Sequence, residues 1–222
     1  MTNSKESKNV PSKSIFDFLL SQQDSKKTIS LMTEDILDIT QLKQRKLYLN
    51  AEVDDEIIDD IVDYILFFNS EDKGIPADQR QPIRLYMNTP GGSVSAGYAL
   101  IDAVITSKTP VYTINQGVCF SMGFLIFISG HKRFAMPHSE FLMHDGQTAA
   151  WDSSAKVKDL MDFELNQVEP TTKTFILSHT KITPRQYTEK YRVEWYFLPE
   201  EAKKLGVTDM IVGKDCDMDD VV

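Results

Sequence analysis

Residues 117–130 constrain this chain more than any other stretch. Gly117-Val-Cys-Phe-Ser-Met-Gly123 runs without a break into Phe124-Leu-Ile-Phe-Ile-Ser-Gly130. One hydroxyl, Ser121, heads an otherwise apolar run. A strand is predicted over 111–115, Gly117 punctuates it, and the apolar run is long enough for a short buried helix closed by Gly130. A serine at such a junction is exposed on one side and backed by a helix N-terminus. Free N–H groups and the positive end of the helix dipole there favour a developing oxyanion. The same position also suits a serine that merely caps a core helix. A nucleophile is recognised only with its partners, so the rest of the chain decides between the two.

From 46 to 130 the pattern alternates. A strand over 46–50 precedes a helix opened by Asp54, with Ile57, Ile58, Ile61, Val62, Ile65 and Leu66 at helical period. A strand over 83–87 ends in Asn88-Thr-Pro-Gly-Gly92, where a proline and two glycines demand a tight turn. Ser93 then caps a helix reaching about residue 106. The order strand, helix, strand, helix, strand, helix predicts βαβ units and a parallel sheet. Two short strands follow, over 133–135 and 140–144. A long helix over 154–179 carries Val157, Leu160, Met161, Leu165, Val168 and Phe175, with Pro170 expected to kink or break it. Thr183 and Pro184 start another helix by the cap and first-position rules. An extended piece over 195–198, a helix over 199–205 stopped by Gly206 and a strand over 207–212 complete the pattern. Residues 1–31 read as a mobile leader, with 15–20 as a short docking segment or helix at most. The main domain is expected over 32–213, and 214–222 as an acidic tail.

Composition excludes more than it chooses. A net charge of −9 argues against nucleic acid or an anionic membrane surface as the main partner. The apolar run over 118–128 is too short to cross a bilayer, and the patch over 15–20 is too brief and too charged for a secretory signal. The cytoplasm is the compartment expected. Cys119 and Cys216 form no disulfide framework or zinc pattern, and the four histidines have no metal-ligand spacing, so no metal is expected. Neither phosphate-cradling motif is present, and the serine is not in a G-x-S-x-G context.

A serine needs a base, usually a histidine oriented by a carboxylate. His144 ends an apolar strand, Phe141-Leu-Met-His144, where side chains reach the rim of a sheet. For the acid, Asp145 is adjacent, and Glu194 lies in Tyr191-Arg-Val-Glu-Trp-Tyr-Phe197, between aromatics that could partly bury it. Spacing does not choose between them. Gly91 and Gly92 can present N–H groups along an extended edge where a peptide adds as a strand. The Gly92 and Met122 amides together would then make an oxyanion hole.

These residues resemble the ClpP family, the proteolytic subunits of ATP-dependent Clp proteases, over most of the chain. Tyr86-Met-Asn-Thr-Pro-Gly-Gly-Ser-Val94 is similar to that family's Y-I-N-S-P-G-G-S-V, and Gly117 with Ser121-Met-Gly123 to G-M-A-A-S-M-G. Arg133-Phe-Ala-Met-Pro137, Met143-His144, and Glu200-Glu-Ala202 with Gly206 add further matches in the right order. The resemblance implies a crotonase-like α/β fold with a protruding helical handle, about 145–180. It implies a serine endopeptidase with Ser121 as nucleophile, His144 as base, Glu194 as acid, Gly92 and Met122 as oxyanion hole, and Gly91, Gly92 and Ser93 along the substrate. It implies two stacked heptameric rings and an AAA+ unfoldase that consumes the ATP and feeds in unfolded polypeptide, docking near Tyr86; the subunit itself needs no cofactor. The chain departs from the pattern in four places. Glu194 stands for the family's aspartate, Val193 for an arginine at ring contacts, residues 145–152 for a glycine-rich segment, and 1–31 for a short axial terminus. The departures motivate an alternative, a weakly active or non-catalytic ring subunit assembling with a standard paralogue. A crotonase-type acyl-thioester enzyme is disfavoured by the matched serine and histidine.

Overall fold

The computed structural model describes residues 33–147 and 149–222. The leader over 1–31, with its docking segment, lies outside the described residues. The chain divides into two compact units, Met1–Thr40 and Gln41–Val222. Of the first, the described residues belong to helix α1, Thr33–Lys43. The description below concerns the second.

Strand β1 (Lys46–Leu49) is followed by helix α2 (Asp55–Glu71), whose N-cap Asp54 accepts the Ile57 N–H at 2.9 Å. Ile58, Ile61, Ile65 and Phe68 fall on one face and are buried, as the period of the sequence predicts. Strand β2 (Ile83–Thr89), helix α3 (Val94–Thr106, capped by Ser93), strand β3 (Val111–Phe120) and helix α4 (Met122–Ile128) follow. Strands β4 (Lys132–Ala135) and β5 (Glu140–Met143) lead to a long helix. It comprises α5 (Ser154–Phe163), a π turn (Glu164–Val168) and α6 (Glu169–His179). Helix α7 (Pro184–Lys190), strand β6 (Trp195–Phe197), helix α8 (Pro199–Lys204) and strand β7 (Met210–Ile211) complete the unit.

The sheet order is β1-β2-β3-β4-β7, every pair parallel; β5 joins β3 in parallel and β6 joins β5 antiparallel. The predicted α/β architecture with βαβ units is the one found. All seven residues of α4 are buried, and Phe124, Phe127, Phe134 and Phe141 fill the interior.

Three local expectations need correction. Strand β3 does not stop before Gly117 but continues to Phe120. Its first half pairs with β4 and its second with β5, while the β2 register shifts between Met87 and Thr89. Gly117 is the close approach that a glycine inside a strand often marks. A Cβ there would stand 2.3 Å from Asn88 Oδ1, which accepts the Val118 N–H at 3.1 Å. Pro170 does not break the long helix. The π turn just upstream, closed by the Glu169 N–H to the Glu164 carbonyl, widens the helix where proline has no N–H to give. Finally, 214–222 folds back on the sheet: Val212 bridges Cys216, and Val221 is 1% exposed against Tyr86, Ile114 and Phe134.

One buried ion pair ties α2 to the sheet. Arg45 donates from both terminal nitrogens to Asp72, at 2.6 and 2.7 Å, and Thr109 Oγ1 adds a third bond at 2.8 Å. The guanidinium holds the Asp72 carboxyl below its ordinary range, against the opposing effect of burial. A carboxylate with a lowered folded-state pKa contributes stability above its unfolded pKa and loses it as pH falls through the folded one. Asp72→Asn should therefore cost about 3 kcal/mol at pH 7, since it strands a buried guanidinium. Urea melts at pH 6 and pH 3 should show a smaller acid destabilisation in Asp72→Asn than in the parent chain.

Candidate active site

Strand β3 delivers Ser121 to the head of α4. Its N–H donates to the Leu142 carbonyl of β5 at 3.0 Å, so the turn is pinned to the neighbouring strand. Ser121 has φ 54° and ψ −119°, a left-handed conformation that a residue with a Cβ adopts at a cost. Its carbonyl accepts from Phe124 N–H at 3.0 Å and its side chain makes no capping bond. The hydroxyl is thus not spent on capping, and Met122 begins a helix whose first amides lack intrahelical acceptors.

The turn 89–92 is packed directly on this point. A Cβ on Gly91 (φ 94°) would meet Ser121 Cβ at 2.8 Å and Met122 N at 2.9 Å. Thr89 Oγ1 accepts the Gly91 N–H at 3.1 Å. One edge of the Gly91–Gly92 segment is already used: Val53 donates to the Gly91 carbonyl at 2.8 Å and accepts from Ser93 N–H at 2.7 Å. Among the described residues the Gly92 N–H makes no hydrogen bond.

His144 follows the last residue of β5. It lines the same cleft as Ser121 and Met122, a cavity of about 240 Å³, and its Nε2 is buried without a hydrogen-bond partner among the described residues. Glu194 does not line that cleft. The flanking aromatics do not bury it: Trp195 is buried, while Glu194 is exposed and accepts from the Tyr196 hydroxyl at 3.1 Å. The antiparallel ladder nevertheless points at it. Met143 pairs with Trp195, so one further step would set Glu194 opposite His144. Asp145 lies beyond the end of β5, and its N–H donates to the Tyr191 carbonyl at 2.8 Å.

The cleft also contains residues the sequence reading did not single out. Glu164, Glu169 and Tyr191 line it beside Phe124, Leu125 and Met161. Burial, and then the Glu169 charge, push the Tyr191 phenol above its usual range. A long helix carrying acidic residues was legible, but the π turn that sets their phase was not. Tyr86 is 6% exposed: it stacks on Tyr48 at 5.1 Å, and its hydroxyl donates to the Val221 carbonyl.

The profile of a family described as Clp protease matches residues 30–215. The chain belongs to the Clp protease family. Among curated relatives, the ATP-dependent Clp protease proteolytic subunit 2 of Corynebacterium efficiens is 31% identical over 173 residues, 77% of this chain and 83% of that protein. The subunit of the same name from Rhodococcus jostii is 29% identical over 175 residues, 78% of this chain and 86% of that protein. Membership accounts for the fold and makes this chain a serine-type endopeptidase of the Clp kind. Among the described residues, no helix is long and apolar enough to cross a membrane.

The backbone of a Clp-family serine under such strain has a measurable signature. Ser121→Gly should fold more stably than Ser121→Ala by about 1 kcal/mol, because only glycine relieves the left-handed angle. Denaturant melts of the two variants check it; equal stabilities would show that the turn is unstrained.

Proposed function

We propose that Ser121 is the nucleophile of this Clp-type peptidase, with His144 as its base and Glu194 as the acid that orients the imidazole. The observation that carries this is the shared cleft: a hydroxyl held off its capping bond by a strained turn lines the same cavity as an imidazole whose Nε2 has no partner among the described residues. Ser121 Oγ attacks the peptide carbonyl while His144 Nε2 takes its proton. The carbonyl oxygen becomes an oxyanion against the Gly92 and Met122 amides, the two N–H groups that the turn and the helix start leave open. As the C–N bond breaks, His144 returns the proton to the leaving amine. Water, deprotonated by the same ring, then releases the acyl group and restores Ser121. The substrate is polypeptide, lying along Gly91, Gly92 and Ser93 on the edge that Val53 does not occupy.

In this reading no cofactor resides in the subunit. ATP is consumed by an AAA+ unfoldase of the Clp type, and the work is done in the cytoplasm. Assembly into two stacked heptameric rings is proposed from the family. It is supported by exposed apolar residues on the long helix, Phe163 and Leu165 among them. Native mass measurement should give fourteen subunits of 25.3 kDa. Docking near Tyr86 would require the C-terminal segment that covers it to move.

A fluorophosphonate probe tests the nucleophile. The assembled particle should label, and Ser121→Ala should abolish labelling and lower peptidase activity by at least about 10⁴-fold. A second reading has its own observation: Glu194 is bonded to Tyr196 and stands outside the cleft. A weakly active ring subunit would assemble without labelling. The acid is tested by Glu194→Ala, expected to lose about 10⁴-fold in kcat, against Glu194→Asp, expected to retain most of it. An active Glu194→Ala would remove Glu194 from the triad.

A further inference from the structure

The sheet carries a second apolar cluster on the face that α2, α3 and α4 do not cover. Tyr86 of β2, Ile114 of β3 and Phe134 of β4 are cross-strand neighbours in one register row, extended at one end by Tyr48, which stacks on Tyr86. An apolar patch rimmed by polar residues marks an interaction site when it is uncovered. Here the cover is the chain's own segment over 217–222, and it is thin. Of those six residues Val221 alone is buried, and the Tyr86 hydroxyl donates to its carbonyl. The next row of the same face lies two residues back along each strand. It is cationic: Lys46 beside Arg84, then Tyr112, then Lys132. None of the three cations has an ion-pair partner among the described residues, and Arg84 Nε is buried without a hydrogen bond.

We propose that this face docks an acidic peptide segment of the unfoldase carrying a branched apolar residue, and that residues 217–222 hold the place in cis as a displaceable plug. The proposal rests on the reading that a Clp-type unfoldase docks on this subunit, and deepens it. The plug displays half of the chemistry: a branched side chain on the apolar row and a carbonyl on the Tyr86 hydroxyl. The other half is what it leaves undone. Its aspartates make no ion pair with the cationic row, and Asp220 accepts the Asp217 N–H at 2.9 Å instead. A segment that sets a carboxylate on that row gains charge-assisted bonds the tail lacks, above all to Arg84. The plug also has a fixed base. The Val212–Cys216 bridge and the Lys203–Asp215 pair hold the chain before it, so 217–222 can leave while 212–216 stay. One buried valine and one hydrogen bond weaken a competing ligand only about tenfold to a hundredfold.

The test adds a fluorescent peptide of residues 217–222, with both ends blocked, to the full-length protein and reads binding by anisotropy. Val221→Asp opens the site, because an aspartate does not stay buried against Tyr86 and Phe134. That variant should bind the peptide at least about tenfold more tightly than the parent chain, whose own tail competes at a high effective concentration. Val221→Ala, the smaller change, should fall between the two. In the Val221→Asp background, Arg84→Gln should weaken binding about fivefold, and so should salt at about 0.5 M. Equal affinity for the parent and Val221→Asp overturns the plug. So does an absence of binding to a Val221→Asp protein whose native mass and circular dichroism match the parent's. Binding indifferent to Arg84→Gln and to salt overturns the acidic partner. The peptide arm contains no unfoldase, so the reading beneath the proposal is measured separately, as ATP-dependent degradation of a folded substrate at limiting unfoldase. Val221→Asp should raise that rate about fivefold, and excess peptide should suppress it. Peptide binding with degradation unmoved by either would take the unfoldase off this face and leave the plug standing.

Discussion

The fold depends on one backbone contact, the turn 89–92 seated on the 120–122 junction. Gly91 can lie there only because it has no Cβ; the nearest atoms would be the Phe120 carbonyl at 2.6 Å and Ser121 Cβ at 2.8 Å. A second close approach works in the same direction, with Thr89 Cγ2 2.5 Å from where a Gly123 Cβ would be. Between them the two glycines let the end of strand β2 and the turn after it approach the start of helix α4 closely. The left-handed Ser121 costs about 1–3 kcal/mol, a cost the surroundings must over-determine. They do so by burying all of α4, where Phe124 and Phe127 alone contribute roughly 2 kcal/mol each.

Much of this was legible in the residues and some was not. The βαβ order could be read because α2 and α3 carry caps and apolar periods that no other structure satisfies. The pairing of β3 with two different partners, and the register shift between Met87 and Thr89, could not, since both depend on neighbouring strands. Gly117 signalled a special position and was read as an end; it is an interior approach to Asn88. The Glu164–Val168 widening is likewise a tertiary outcome, tied to Pro170 but not to any periodicity. Ser121 and His144 could be nominated as a pair from their places at a helix start and a strand end. That Glu194 would sit exposed on a bond to Tyr196 could not be nominated, because flanking aromatics suggested burial and strand alternation placed only Trp195 and Phe197 inside.

The cleft as it stands is an unfinished electrostatic arrangement. A buried imidazole nitrogen with no partner costs about 1–3 kcal/mol relative to a paired one. That cost is removed when a hydroxyl approaches Nε2 from Ser121. The β5–β6 ladder stops one residue short of the His144 and Glu194 positions, and the chain beyond it is held by Asp145 to Tyr191 instead. Extending the ladder by one pair would set Glu194 opposite His144. That step would exchange the exposed Tyr196–Glu194 hydrogen bond, worth about 1 kcal/mol, for one to the imidazole.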